Sequence, residues 1–312
     1  MTGDKPTVTV AVPVLNEARY IHACLSAIAR QTHDRVLEVL VVDGGSTDAT
    51  LELARSHPGV RVLANPRRIQ AAALNIALAE AKGEVFVRVD GHCVIAPDYI
   101  ERCVAALAVT NAGMVGGAMT PVASGWRQRG IAAAMSSPLG AGPARFHSGG
   151  EAGWVDTVYL GAFRTDLAAE AGGYAEDVGV NEDAELALRL RPRGGIWFDP
   201  AIRSTYSPRE NLSAVARQFY RYGRSRALTI RKHPAAISPR QLVAPALVLA
   251  LCSPWRRPTL AAYALGAFAA SAQQCRQDPS AVPGMTLTLP AMHLPWGVGF
   301  LVGLARPGTQ IR

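Results

Sequence analysis

Between Thr7 and about Asp90, apolar β-branched runs alternate with stretches of helical periodicity. The runs Thr7–Val14, Val36–Val42, Val60–Leu63 and Val85–Val89 predict strands, and helices are expected near residues 18–30, 47–56 and 69–82. Alternation of this kind predicts an α/β fold with a mostly parallel sheet covered by helices. Residues 110–180 are rich in Gly and Ala, and one or two further strands with loops lining a cleft are expected there. A helix is predicted over 182–190, with Glu182 and Asp183 in its first turn, where the helix dipole favours negative charge. Gly194–Pro200 reads as a short returning strand. Residues 212–230 form an amphipathic helix, with Leu212, Val215, Phe219, Tyr222 and Ile230 on one broad side and Arg217, Arg221 and Arg224 on another.

Beyond Arg240 the pattern changes. Leu242–Trp255 and Thr259–Ala272 are apolar segments of 14 residues each, short of the ~20 needed to cross a bilayer. Met285–Leu304 has 20 residues, enough to span, with Pro290 and Pro295 expected to kink it. If all three segments crossed, Arg256 and Arg257 would face outside, against the positive-inside tendency. A re-entrant or interfacial hairpin followed by one span, or a buried helical subdomain, fits the same lengths.

Charge sharpens that division. Up to Thr205 the chain carries 19 Lys+Arg against 22 Asp+Glu; from Tyr206 onward it carries 13 against 2, so the net +8 belongs to the last third. Basic residues beside apolar segments point to anionic lipid head groups. No nucleic-acid partner is expected, since no aromatic-interleaved basic face or nucleic-acid motif accompanies the charge. Five scattered cysteines show no metal-type spacing and read as reduced structural thiols. Asp4 and Lys5 precede only a short apolar run, so no signal peptide is expected and the N-terminal part is placed in the cytoplasm.

In parallel sheets ligands bind beyond the carboxyl ends of the strands. Here those ends carry Pro13-Val14-Leu15-Asn16-Glu17, Asp43-Gly44-Gly45-Ser46 and Asp90-Gly91-His92, all polar or Gly-rich. The dinucleotide fingerprint is excluded, because the first strand is followed by no Gly-x-Gly-x-x-Gly. Each motif also has a plain structural reading: an Asx turn at Asp43, a turn histidine at His92, helix capping at Glu182-Asp183 and a solvated basic face on the 212–230 helix.

Taken in order, Val10–Glu17, Val41–Thr50, Asn65 with Ala73–Asn75, Lys82-Gly83-Glu84, Asp90, Gly172-Gly173-Tyr174, Glu182-Asp183, Ile196–Pro200 and Gln218-x-x-Arg221-Tyr222 resemble family-2 glycosyltransferases over about residues 7–230. Within that family, Asp90-Gly91-His92 and the tail ending Met292–Gly297 resemble the succinoglycan and exopolysaccharide-biosynthesis transferases, which are membrane-associated. The resemblance implies a GT-A nucleotide-sugar-binding domain, expected over 1–235, and a membrane-associated helical region over 236–312. It implies inverting transfer from a nucleotide-sugar donor, expected to be a UDP-sugar, to a glycan or polyprenyl-linked acceptor at the cytoplasmic face of the cell membrane. Polyprenyl-phosphate glycosyl synthesis, a catalytically silent subunit and nucleotidyl transfer are the competing readings.

The resemblance also assigns roles. Asp43 accepts from the uracil ring, Glu17 meets base or ribose, and Pro13, Val14 and Leu15 wall the donor. Asp90 occupies the place of the first acid of the family's Asp-x-Asp and His92 that of the second. A divalent cation there would bridge the donor phosphates, and imidazole makes Mn²⁺ the expected ion over Mg²⁺. Gln218, Arg221 and Tyr222 fall on the Gln-x-x-Arg-Trp motif, with Tyr in place of Trp, toward acceptor and diphosphate. Glu182 and Asp183 fall on the Glu-Asp pair, whose second acid is the base.

Overall fold

The computed structural model describes residues 5–306 apart from 141 and 143. In chain order it forms β1 (Val8–Val14), α1 (Ile21–Ala29), β2 (Val36–Asp43), α2 (Thr50–Arg55), β3 (Val60–Ala64), α3 (Gln70–Glu80), β4 (Val85–Arg88) and β5 (Cys93–Ile95). There follow α4 (Tyr99–Thr110), β6 (Met114–Pro121), α5 (Gly125–Met135), the single turn α6 (Arg145–Ser148), β7 (Gly153–Val155), β8 (Tyr159–Arg164), α7 (Thr165–Glu170), α8 (Glu182–Leu190) and β9 (Ile196–Tyr206). Helices α9 (Leu212–Lys232), α10 (Val243–Leu251), α11 (Arg256–Gln274) and α12 (Val282–Ala305) complete the chain. Two compact units result. The first gathers the residues up to Thr120, Gly149–Glu176 and Glu182–Tyr206; the second gathers Pro121–Ser148, Asp177–Asn181 and the residues from Ser207 on.

The first unit is built on a sheet of nine strands among the described residues, in the order β3-β2-β1-β4-β8-β6-β9-β5, with β7 beside β9. Strands β1 to β4 pair in parallel, as the alternation of the sequence predicts. Strand β1 is buried along its whole length, which its unbroken apolar run requires of a central strand covered on both faces. Helix α3 packs on β1 and β2 through Ala71, Ala72, Ala73, Leu74 and Ala77, small residues that let it lie close to the sheet.

The second half of the sheet is antiparallel, making it mixed: β4 pairs β8, β8 pairs β6, and β9 pairs β5 and β7. Phe86 stands opposite Phe163 across the β4–β8 junction, and their rings stack at 5.3 Å. The Gly- and Ala-rich stretch supplies β6, β7 and β8, and the returning strand extends to 11 residues. The four cysteines Cys24, Cys93, Cys103 and Cys275 are buried free thiols, and Cys252 is exposed.

In the second unit α9 starts at an N-cap, where the Asn211 side chain accepts from the Ala214 N–H at 2.9 Å. Its apolar side buries Val215, Phe219 and Ile230 as the periodicity predicts, but Gly223, Ser225, Ala227 and Thr229 are buried too. Of these, Gly223 and Ala227 receive α12, while the Ser225 hydroxyl donates to the Val180 carbonyl. A Cβ at Gly223 would lie 2.0 Å from the Trp296 carbonyl oxygen, and one at Gly299 would lie 2.1 Å from that of Tyr220, so the two backbones touch where only hydrogen fits. Trp296 stacks on Phe300 at 5.3 Å and packs on Ala227 and Ile230. Helix α12 has 24 residues and runs on through Pro290 and Pro295. Among the described residues the stretch Pro279–Ala305 is the one helical segment long and apolar enough to cross a membrane.

Candidate functional site

Parallel pairing of β1, β2 and β4 brings Val14, Asp43 and Arg88 to one edge of the sheet, and the loops that follow are stapled together. Asn16, at a φ of 57°, accepts from the Thr47 N–H at 2.8 Å and donates its own N–H to the Ser46 hydroxyl at 2.9 Å. The Glu17 N–H donates to the Thr50 hydroxyl at 2.8 Å and the Ala18 N–H to the Asp48 carboxylate at 3.2 Å. The Asp43 carboxylate accepts the Gly45 N–H at 2.9 Å, the Ser46 N–H at 3.1 Å and the Ser46 hydroxyl at 2.5 Å. The Asx turn at Asp43 is therefore real. An ionised carboxylate has about four acceptor positions, so one more donor can be taken. Pro13 and Val14 are buried in β1, whereas Leu15 projects from the loop.

Asp90 lies two residues past the end of β4 and does not stand alone. Arg88, the last residue of that strand, donates from Nε to Asp90 Oδ1 at 2.8 Å and from Nη1 to Glu182 Oε1 at 2.9 Å. Asp183 Oδ2 lies 3.9 Å from the same Nη1. Gln70 adds a hydrogen bond to Asp90 Oδ1 at 3.1 Å. One buried guanidinium thus ties the Asp90 motif to the Glu182-Asp183 pair, which opens α8.

Burial works on Arg88, Asp90 and Glu182, and their neighbours decide the outcome. It opposes charge on Arg88, yet Asp90, Glu182 and Asp183 together hold that group firmly cationic. It raises the Asp90 carboxyl, but Arg88 outweighs it and keeps the acid below the usual carboxylate range. For Glu182 burial wins: even with Arg88 pulling down, its carboxyl is pushed up to about 7. Glu182 is almost fully enclosed, while Asp183 keeps 29% of its side chain exposed, so of the two only Asp183 can meet an incoming molecule.

The ligand atoms of Asp90, His92 and Cys93 lie within 4.8 Å of one another. His92 Nδ1 donates to Glu17 Oε1 at 3.1 Å, an arrangement that fixes the ring and tautomer of a ligating imidazole. Burial raises the Cys93 thiol well above its ordinary value, and it hydrogen-bonds the Tyr159 hydroxyl at 2.7 Å. Carboxylate oxygen plus imidazole nitrogen is a donor set that fits Mn²⁺. Glu17, expected from the sequence to meet base or ribose, here also accepts from His92.

Gln218, Arg221 and Tyr222 belong to the second unit, on α9. Gln218 Nε2 donates to the Tyr222 hydroxyl at 2.6 Å, Arg209 Nε donates to Gln218 Oε1 at 3.2 Å, and Arg221 is exposed. The sequence reading passed over Arg88 and Gln70. Arg88 carried a signal, as the one charged residue in the strand Val85-Phe86-Val87-Arg88-Val89.

The profile of glycosyl transferase family 2 matches residues 9–170. The chain is 34% identical to the succinoglycan biosynthesis protein ExoA of Rhizobium meliloti, over 96% of each. It is 27% identical to a dolichyl N-acetyl-α-D-glucosaminyl phosphate 3-β-D-2,3-diacetamido-2,3-dideoxy-β-D-glucuronosyltransferase of Methanococcus voltae, over 72% of this chain and 74% of that one. Among solved structures, the mannosyltransferase PcManGT of Pyrobaculum calidifontis, in complex with GDP-Man and Mn²⁺, superposes with a TM-score of 0.61 at 26% identity, over 96% of this chain and 87% of that one. TarS of S. aureus gives a TM-score of 0.53 at 17% identity, a likeness of fold.

Proposed function

The chain belongs to glycosyl transferase family 2 and is a nucleotide-sugar-dependent glycosyltransferase; from that premise we propose that it transfers a sugar with inversion from a UDP-sugar to a polyprenyl-linked glycan in cell-surface polysaccharide synthesis. The observation that carries the reading is the Arg88 bridge, which sets a partly exposed carboxylate, Asp183, beside the Asp90 motif.

In this reading Asp183 takes the acceptor hydroxyl's proton while that oxygen bonds to the anomeric carbon, and the bond from that carbon to the diphosphate oxygen breaks with its electron pair leaving on the diphosphate. Arg88 keeps Asp90 ionised and holds Glu182 in place, which fixes the start of α8 and with it Asp183. Asp90 and His92 would hold a divalent cation, which would supply Lewis-acid neutralisation of the leaving diphosphate. PcManGT, a relative in fold and sequence, was solved with Mn²⁺, which supports that assignment. Asp43 uses its remaining acceptor position for the imino N–H of the base, with Leu15 beside it.

The acceptor assignment draws on the Methanococcus relative, whose name specifies a dolichyl-linked sugar, and on the exopolysaccharide relative. Both suit a chain whose C-terminal third is apolar and basic, attached to the cytoplasmic face of the cell membrane. Full-length protein should be assayed with native membranes and a panel of UDP-glucose, UDP-galactose, UDP-N-acetylglucosamine and GDP-mannose. Release of UDP with label passing into lipid extract is the expected result. Turnover of GDP-mannose alone overturns the uracil assignment, and no nucleoside diphosphate from any donor would make the chain a silent subunit.

A further inference from the structure

Helix α12 is long and apolar enough for a membrane span, yet one side of it, including Met285, Leu289, Met292 and Phe300, is buried within the second unit, while Leu287, Val298 and Leu304 are exposed. The helix touching it backbone to backbone, α9, carries Arg217, Arg221, Arg224, Arg226, Arg231 and Lys232. Carrying such a helix across hydrocarbon is prohibitive. Both ends of α12 are also held by arginines of the same unit. Arg231 donates to the Leu304 carbonyl at 3.3 Å, and at the other end Arg129 pairs with Asp278 at 3.3 Å and donates to the Ser280 hydroxyl at 2.9 Å.

The apolar surface lies elsewhere. Leu249 on α10, Trp255 in the turn, and Leu260, Leu265 and Phe268 on α11 are between 57% and 73% exposed. Only Ala267 and Ser271 of α11 are buried. Between Arg257 and Arg276 there is no charged residue at all. The uncharged run over residues 258–272 is about 22 Å long at 1.5 Å per residue, too short to cross the ~30 Å hydrocarbon core but suited to lying along it. Arg256 and Arg257, both exposed, stand at the start of this face beside Trp255, where cations meet lipid phosphates and an indole sits at the head-group level.

We propose that the second unit docks on one leaflet of an anionic membrane through the α10–α11 hairpin, as a monotopic attachment, with α12 serving as an internal strut and crossing no bilayer. This rests on the membrane attachment proposed above, and the test separates the two.

Full-length protein is mixed with vesicles of phosphatidylcholine with one quarter phosphatidylglycerol, and with phosphatidylcholine alone, and floated on a density gradient. Flotation with the anionic vesicles is expected. Leu265→Glu with Phe268→Glu should reduce it at least tenfold, and Arg256→Glu with Arg257→Glu should remove the preference for anionic lipid, with UDP release in detergent unchanged as the check on folding. Because the glutamates could disturb packing, topology is read independently. In a Cys252→Ser background, Gln277→Cys and Ala305→Cys flank α12 and are probed with a membrane-impermeant maleimide on inverted and right-side-out cell vesicles. Both should label from the cytoplasmic face only. Labelling from opposite faces leaves attachment standing and overturns the monotopic geometry; failure of the wild type to float overturns attachment itself.

Discussion

Arg88 and Glu182, 94 positions apart in the chain, meet at 2.9 Å in the buried centre of the first unit, and Arg88 reaches Asp90 at 2.8 Å with the same guanidinium. A planar fork that satisfies two carboxylates in different directions is a task for arginine and not for lysine. Arg88→Met leaves two buried acids without their cation and should destabilise the protein by about 3–5 kcal/mol. Arg88→Lys restores charge without the fork, so it should recover part of that stability while turnover stays well below wild type. Thermal midpoints and kcat of the two variants check this. A methionine variant as stable as wild type would show that the bridge holds nothing together.

Asp183→Asn removes a carboxylate while keeping its shape and its hydrogen bond from the Ala184 N–H, seen at 2.7 Å. Lost capping should cost about 1 kcal/mol and leave turnover nearly intact. A lost general base should lower kcat by roughly 10²–10⁴-fold with donor binding retained. The second outcome is expected, read from kcat together with the Kd for UDP. Turnover within about threefold of wild type, far inside that range, moves the base to another group.

The Glu182 carboxyl sets a pH dependence of stability. Its value rises on folding from 4.5 to about 7, so between these limits the folded protein holds a proton that the unfolded chain has released. Its contribution is fully present below pH 4.5 and is lost as pH climbs through 7, at most about 3 kcal/mol. Asp90 is shifted downward and acts with opposite sign, its contribution being lost only in stronger acid. Glu182→Gln should therefore flatten the fall in thermal midpoint between pH 5 and 8, a comparison that needs no substrate. An unchanged slope would place the titrating group elsewhere.

Activity should vanish with chelator and return better with Mn²⁺ than with Mg²⁺, because an imidazole at His92 suits the softer ion. His92→Asp should shift the preference toward Mg²⁺. Glu17→Gln weakens the acceptor for His92 Nδ1, a bond of 3.1 Å, and should reduce Mn²⁺ affinity by roughly 10–100-fold. Metal titrations of kcat/KM measure all three effects, and a His92→Asp enzyme with the wild-type metal ratio excludes the ring as a ligand.

The parallel half of the sheet is legible because β1 to β4 are short, rich in β-branched apolar residues and separated by helical periods, so their carboxyl ends point to the chemistry. The antiparallel half was not, because β5 and β7 have three residues each and β6 pairs β8 with a bulge. Strands that short carry no period. The acids were legible by type and order, but their partners were not. That Glu182 meets Arg88 and Glu17 meets His92 depends on which loops the sheet order makes neighbours. In the tail, composition spoke for a span at Met285–Leu304, while Gly223 and Gly299 make sense only once two helices are seen touching.

That contact also governs how the protein is made. Helix α5 and helix α9 are synthesised well before α12, yet Gly130 of α5 and Gly223 of α9 both abut α12, at Gly284 and Trp296. Until α12 leaves the ribosome, the small-residue faces waiting for it stay open. The first unit can fold as it emerges, with only the local insertions still unpaired. The second cannot close until α12 has been made, so a chain stopped after residue 239 keeps α9 but lacks the helix that covers it. Arrival at the membrane through α10 and α11 and completion of the fold by α12 are then late and successive events in the life of the chain.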